Sequence, residues 1–464
     1  MDLHHLIHIL KETAARVKAQ AEAIIHPPRV RELSPTAVLA AIPGELVGAL
    51  DAAGGQLEGG REVFPAPETG DHHDAVKTLV PAGEVGEVVG VSSDENGVLQ
   101  WHIPGMGAAA QGQVEMWLRT KANQARRLAL YRFPGAATLA LAREAEKALK
   151  PVVGLKKLPA AAGGGIGEPP FPHLSQVDAL QPGGRTLLLV HGILDRVFGF
   201  IFSPLLLHGD LLARLHAHYG GRVYGYEHRT ISEGPLQNAR DLLELLPDRL
   251  QVDIICHSRG GLVVRALLEH PDVRARLDAK GIDVGQVIFV GAANQGSDLA
   301  RRDNLARLLT IFTTHGARST NPLVRATSSA TAPLMVAVAR LLAARGDDLP
   351  GVAALVPESD LIRELNESPV SPAGSYSFVR ANFGDTTEPL LRLLEPISDE
   401  GFGSKLNDLV VPLAGMDDLG RRNASGRPRL TLTSESVPQG HWYHLNYFDS
   451  PDVLGFVVDR LGVP

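Results

Sequence analysis

Residues 252–268, Val-Asp-Ile-Ile-Cys-His-Ser-Arg-Gly-Gly-Leu-Val-Val-Arg-Ala-Leu-Leu, read as a buried strand, a tight turn carrying Ser258, and a helix entered over two glycines. A serine hydroxyl is a weak nucleophile. It gains reactivity only when lifted clear of its surroundings, beside a base and near donors for a developing oxyanion. A sharp strand-to-helix turn does this if its neighbours are small, and Cys256, Gly260 and Gly261 supply that space. The competing reading is an ordinary strand-helix connection with Ser258 as an N-cap.

Outward from this stretch the rhythm is strand, helix, strand, helix. Short apolar runs at 186–190, 222–226, 252–255, 287–290 and 376–379 suit strands buried on both faces, and 238–246 and 261–269 suit amphipathic helices between them. Such alternation predicts a mostly parallel sheet covered by helices on both sides.

The turn at Ser258 resembles the nucleophile elbow of the α/β-hydrolase family, with Cys256 where the family pattern usually has glycine. Further segments carry the resemblance in the family's order. His191-Gly192-Ile193 directly follows the first strand of the α/β region and looks like the lipase loop that supplies half of an oxyanion hole. The resemblance makes the backbone N–H of Ile193 one donor and that of Arg259 the other. Lys405-Leu-Asn-Asp408-Leu-Val-Val-Pro412 looks like the Asn-Asp-x-x-Val-Pro segment bearing a triad aspartate, with Asp385 and Asp399 as fallbacks. Gly440-His441-Trp-Tyr-His444-Leu-Asn-Tyr-Phe448 precedes a final apolar pattern and resembles the segment of the catalytic histidine. His444 fits that role better and His441 is the alternative; His191, Gly192 and His257 stand as supporting residues, His191 without a proton-transfer role. Two more stretches, 290–298 and 355–366, are similar to connecting motifs of bacterial lipases, and the resemblance spans about 185–464.

The resemblance implies a serine hydrolase that cleaves carboxylic esters, lipid-like acyl esters in particular, through Ser258, His444 and Asp408, with no cofactor and a small-molecule acyl ester as substrate. A non-catalytic binding protein on the same fold, or an acyltransferase or amidase using the same triad, stays open. The helical, apolar stretch at about 302–349 is expected to be a cap-like insertion or an ordinary packed helix pair.

With 464 residues, two domains are the natural expectation. The Gly- and Pro-rich run 160–172 places the boundary there: 1–170 is read as an N-terminal helix, a small β-rich α+β domain and a linker, and 171–464 as the α/β-hydrolase domain. Within the first domain, Asp94-Glu95-Asn96-Gly97 between two β-like runs is a hairpin signal. Leu3, Ile7, Leu10, Ala14, Val17, Ala21 and Ile24 mark one face of a helix, open to packing on its own domain, self-association or a protein partner. All candidate catalytic groups lie beyond residue 185, so the first 180 residues are expected to be dispensable for the chemistry.

Composition narrows the rest. The net charge of −7 offers no global attraction to nucleic acid. A single cysteine, Cys256, allows neither an internal disulfide nor a cysteine-based metal cluster. Asp71-His72-His73-Asp74 holds metal-ligand residue types but reads as a solvated loop, so no metal is assigned. No secretory signal and no window near ~18 consecutive apolar residues is visible. The expectation is a cytoplasmic protein without a transmembrane segment.

Overall fold

The computed structural model describes residues 29–64, 87–93, 98–103, 126–134, 137–150, 152–159, 175–177, 180, 183–197, 199–202, 209–319, 322–343, 349–383, 394, 398, 401–403, 405–420, 427–432 and 442–464. The N-terminal helix at 3–25, the Asn96-Gly97 turn, Asp71–Asp74, Asp385, Asp399, His441 and the expected boundary at 170/171 lie outside the described residues. The chain forms two compact units, Met1–Ala137 with Val338–Gly346, and Thr138–Ala337 with Asp347–Pro464.

The first unit is built on a five-stranded antiparallel sheet, in the order β1-β2-β5-β3-β4. Its strands are β1 (Arg29–Leu33), β2 (Gln56–Phe64), β3 (Glu87–Ser93), β4 (Leu99–His102) and β5 (Arg126–Phe133). The two runs that predict a hairpin pair as β3 and β4, with Gly90 opposite His102 and Ser93 opposite Leu99. Short helices Pro35–Leu39 and Gly44–Ala52 bury Val38, Leu46 and Leu50. Gly60 on β2 is needed because a Cβ there would lie 2.7 Å from Val38 Cγ1.

The second unit carries an eight-stranded sheet, β13-β12-β11-β10-β8-β9-β6-β7. Its strands are β6 (Gly154–Lys157), β7 (Ser175–Val177), β8 (Arg185–Val190), β9 (Val223–Glu227), β10 (Gln251–His257), β11 (Asp283–Val290), β12 (Ser375–Ala381) and β13 (Arg429–Leu432). Strands β9, β8, β10, β11, β12 and β13 run parallel, whereas β6 is antiparallel to both β9 and β7. Period-2 alternation divides the strand side chains between two cores. Leu188, Val190, Ile254, Cys256, Val287 and Phe289 face the helices Pro235–Leu245 and Gly260–Glu269, while Leu187, Leu189, Ile255, Ile288 and Val290 face Gly209–His218 and Pro451–Leu461. Both faces are thus covered, which is why these strands read as near-continuous apolar runs.

The order of the six parallel strands, β9-β8-β10-β11-β12-β13, is that of the α/β-hydrolase fold. The chain leaves β8 toward β9 on one side and returns to β10 on the other, so strand order reverses at β8, and loops after β8, β9 and β10 converge at that switch point. Helix Leu139–Leu149 and strands β6 and β7 precede residue 180 yet belong to this unit. The sheet's antiparallel edge is therefore made from residues before 180, whereas every group of the expected triad lies beyond residue 185.

Helices Leu305–Arg318 and Pro322–Ala343 occupy the apolar stretch between β11 and β12. Residues Val324–Ala343 are long and apolar enough to cross a bilayer, yet most of that helix is buried within the protein, as core helices are.

Candidate active site

Ser258 stands between β10 and the Gly260–Glu269 helix at φ +55°, a left-handed conformation that a residue with a Cβ adopts only when its surroundings impose it. The surroundings do so from several sides. Ser258 N–H donates to Val290 O at 3.1 Å, and its carbonyl accepts from Gly261 N at 2.9 Å and Ala293 N at 3.2 Å. Close approach of helix to strand explains the glycines: a Cβ at Gly260 would lie 2.5 Å from Val190 O, and one at Gly261 2.7 Å from the Ala292 Cβ. Cys256 occupies its strand position without residue exposure, and burial pushes its thiol pKa well up, so it packs as a small apolar group.

The loop before the last helix delivers His444. Ser450 caps that helix through Val453 N at 3.4 Å. His444 Nε2 lies 2.8 Å from Ser258 Oγ and its Nδ1 2.8 Å from Asp408 Oδ2. A carboxylate only accepts, so Nδ1 carries the ring proton and Nε2 is free to accept from the serine hydroxyl. His444 N–H also donates to Asp408 O at 2.9 Å, fixing the loop as well as the ring.

Asp408 is enclosed by donors. Val410 N and Val411 N reach Oδ1 at 3.1 and 2.7 Å, and the Tyr447 hydroxyl reaches Oδ2 at 2.8 Å. Leu409 at φ +79° closes this turn. The motif 290–298 supports it from below: Ser297 Oγ donates to Val410 O at 2.5 Å and Asn294 Nδ2 to Met416 O at 2.6 Å. Burial and the neighbouring Asp408 push the Tyr447 phenol well above its ordinary pKa, keeping it a donor. Sequence reading uses Tyr447 only as a landmark beside His444; nothing in the spacing reveals that its hydroxyl holds the aspartate.

The supporting residues surround this chain of contacts. His257 lies against the His444 ring, centroids 4.6 Å apart, and its Nε2–H donates to His444 O at 3.0 Å. Burial, and then His444, hold its pKa well below the ordinary value, so it is neutral. Gly192 approaches the serine so closely that a Cβ there would lie 2.8 Å from Ser258 Cβ. His191 is buried, stacked on His228 at 4.1 Å, with Nδ1 3.0 Å from Gly192 O and Nε2 3.1 Å from Glu227 Oε1. It touches the Gly192–Ile193 peptide rather than the serine. Ile193 follows on that loop, and Arg259 follows Ser258 at the helix entrance. The Arg259 side chain turns into the interior, with Nε on Gly351 O at 3.1 Å and Nη2 on Asn238 Oδ1 at 2.9 Å; only its backbone is left for the site.

Asp195, just beyond the Ile193 loop, accepts from Phe200 N at 2.6 Å and Ile201 N at 3.3 Å, and burial raises its pKa to about 7. The native state then holds a proton that the unfolded carboxyl releases near pH 4. The resulting stability is fully present below the unfolded pKa and is lost as pH rises through about 7. Urea unfolding of the wild type and Asp195→Asn across pH 4–8 should show the stability advantage of the wild type shrinking by on the order of 4 kcal/mol over that window. A difference that stays flat with pH would show that Asp195 titrates normally.

Residues 168–462 match the family described as "Domain of unknown function (DUF7379)". Among solved structures, the mature form of the Bacillus licheniformis lipase BlEst2 is 14% identical with a TM-score of 0.37, over 62% of this chain and 96% of that one. Lipase 1 from Pelosinus fermentans is 14% identical with a TM-score of 0.37, over 60% of this chain and 98% of that one. The metagenomic carboxyl esterase MGS0156 is 18% identical with a TM-score of 0.29, over 59% of this chain and 70% of that one. No curated protein matches the chain. The family match takes in Ser258, Asp408 and His444 and covers more than half of the sequence, so the chain belongs to the family of the domain of unknown function DUF7379.

Proposed function

We propose that this protein is a serine hydrolase that cleaves carboxylic esters with apolar acyl groups. The single observation that carries the reading is the unbroken hydrogen-bond chain Ser258 Oγ, His444 Nε2, His444 Nδ1, Asp408 Oδ2, with 2.8 Å at both contacts. His444 takes the proton of Ser258 as Oγ attacks the ester carbonyl, and Asp408 holds the imidazolium that forms. The N–H groups of Ile193 and Arg259 receive the oxyanion. The same imidazolium protonates the departing alcohol, and water, deprotonated by His444, then releases the acid from the acyl-serine.

The preference for apolar acyl groups rests on what flanks the histidine loop. Phe200 stands edge-on to Phe312 at 5.7 Å and His315 at 6.0 Å, and His315 accepts from or donates to the Tyr443 hydroxyl at 2.8 Å, one residue before His444. The buried Phe200 and Phe312 rings, with His315 edge-on to Tyr443, make the surroundings of Tyr443 and the histidine loop apolar, and an apolar surround favours an acyl chain over a charged group.

A fluorophosphonate probe tests the assignment directly. The full chain should be labelled with one adduct, which peptide mass spectrometry places on Ser258, and labelling should slow when p-nitrophenyl butyrate is present. A protein that remains unlabelled at catalytic pH, or is labelled at another serine, would refute the triad.

A further inference from the structure

We propose that Glu146 is a positioning residue for the oxyanion hole, acting through the 230–233 loop; the proposal rests on the esterase reading. Glu146 lies on the Leu139–Leu149 helix, ahead of every residue in the triad, and is fully buried. Its carboxylate is the centre of the loop that follows β9. The backbone N–H groups of Thr230, Ile231 and Ser232 all donate to it, Ile231 at 3.0 Å and Ser232 at 2.9 Å, as do the hydroxyls of Thr230 at 3.1 Å and Ser232 at 2.7 Å.

Two arms run from that loop to the two proposed oxyanion donors. On one side Leu194 N–H donates to Thr230 Oγ1 at 3.2 Å. Leu194 is held at φ +53°, a conformation that needs an external restraint, and it follows Ile193 directly. Because the Thr230 hydroxyl gives its only proton to Glu146, its oxygen is left to accept from Leu194 and is polarised for doing so. On the other side the Arg259 guanidinium donates to Glu233 O and, at 3.1 Å, to Gly351 O, while Gly351 N–H donates back to Ile231 O at 2.9 Å. A single carboxylate therefore sets the spacing between the backbone on both sides of Ser258.

The charge is built for permanence. Burial alone would push the Glu146 carboxyl up, but Lys150, with Nζ 3.9 Å away, and the donors of Ser232 and Thr230 pull it below its ordinary value. Lys150 is itself anchored to His228 O at 2.6 Å and stands 3.9 Å from Glu227 Oε1. A buried charge with one partner is costly, whereas one with this many donors is a rigid fixture. Oxyanion donors act mainly in the transition state, so misplacing them by a fraction of an ångström lowers kcat more than it raises KM.

The test uses full-length wild type, Glu146→Gln, Thr230→Val and Thr230→Ser, with p-nitrophenyl butyrate kinetics, fluorophosphonate labelling rates and thermal melting. Glu146→Gln and Thr230→Val should each lose on the order of 10- to 100-fold in kcat with KM within about twofold. Thr230→Ser, which keeps the hydroxyl, should retain most of the wild-type kcat. A purely structural role would lower the melting temperature and leave kcat at 25 °C and the labelling rate unchanged, and that result overturns the proposal. If Glu146→Gln does not fold, the Thr230→Val and Thr230→Ser pair decides: equal kcat in the two overturns it. Failure of the wild type to label or turn over would instead refute the esterase reading, so the two failures are distinguishable.

Discussion

Ser258→Ala should abolish hydrolysis of p-nitrophenyl butyrate, with kcat falling on the order of 10⁶-fold, while far-UV circular dichroism and the unfolding midpoint stay close to wild type. The size of the effect follows from what the hydroxyl does. In the proposed mechanism it is the attacking atom, and neither water nor His444 can replace it without rebuilding the geometry around the carbonyl. The fold should survive because alanine keeps the Cβ that packs toward Gly192 and meets the same backbone restraints at φ +55°. The backbone contacts of residue 258 to Val290, Gly261 and Ala293 involve only main-chain atoms. Residual turnover above a few per cent, with contaminating esterase removed by active-site labelling, would mean that another group attacks the ester.

How legible this site is in the sequence depends on the range of each interaction. The elbow is local: the single stretch 252–268 specifies strand, turn and helix, and Ser258, Gly260 and Gly261 can be recognised without knowing what they touch. Asp408 and His444 are distant from Ser258 in sequence, but each sits in a short segment with its own turn chemistry, which makes them readable as candidates. The supports around them are not local. Tyr447 OH reaches Asp408 across the fold, and the hydrogen bonds of Glu146 span 84 to 86 residues. In sequence, Glu146 and Lys150 are a Glu and a Lys one helical turn apart, a pattern normally found on a solvated face. Only the path of the chain after β9 turns that face inward. The same reasoning explains why the first 180 residues look separable: β6 and β7 are short, and β9, with which β6 pairs, is far along the chain.

Asp408→Asn should lower kcat on the order of 10⁴-fold with little change in KM, and the geometry says why an isosteric amide is so damaging. Val410 N and Val411 N both donate to Oδ1, at 3.1 and 2.7 Å, so the amide oxygen of asparagine must stay on that side. Its NH₂ then faces His444 Nδ1 and the Tyr447 hydroxyl, where the carboxylate had an acceptor. Tyr447 can rotate its proton away and accept. The imidazole has no such freedom: to accept at Nδ1 it must carry its proton on Nε2, and Nε2–H then points at Ser258 as a donor. The serine proton has nowhere to go, although every atom is still in place. Steady-state kinetics should therefore show intact substrate affinity with collapsed turnover, and fluorophosphonate labelling should slow in parallel because it needs the same proton transfer. If Asp408→Asn stayed within tenfold of wild type in both assays, the tautomer of His444 would have to be set by another group, and His257, hydrogen-bonded to the His444 carbonyl at 3.0 Å, does not touch the ring nitrogen that matters.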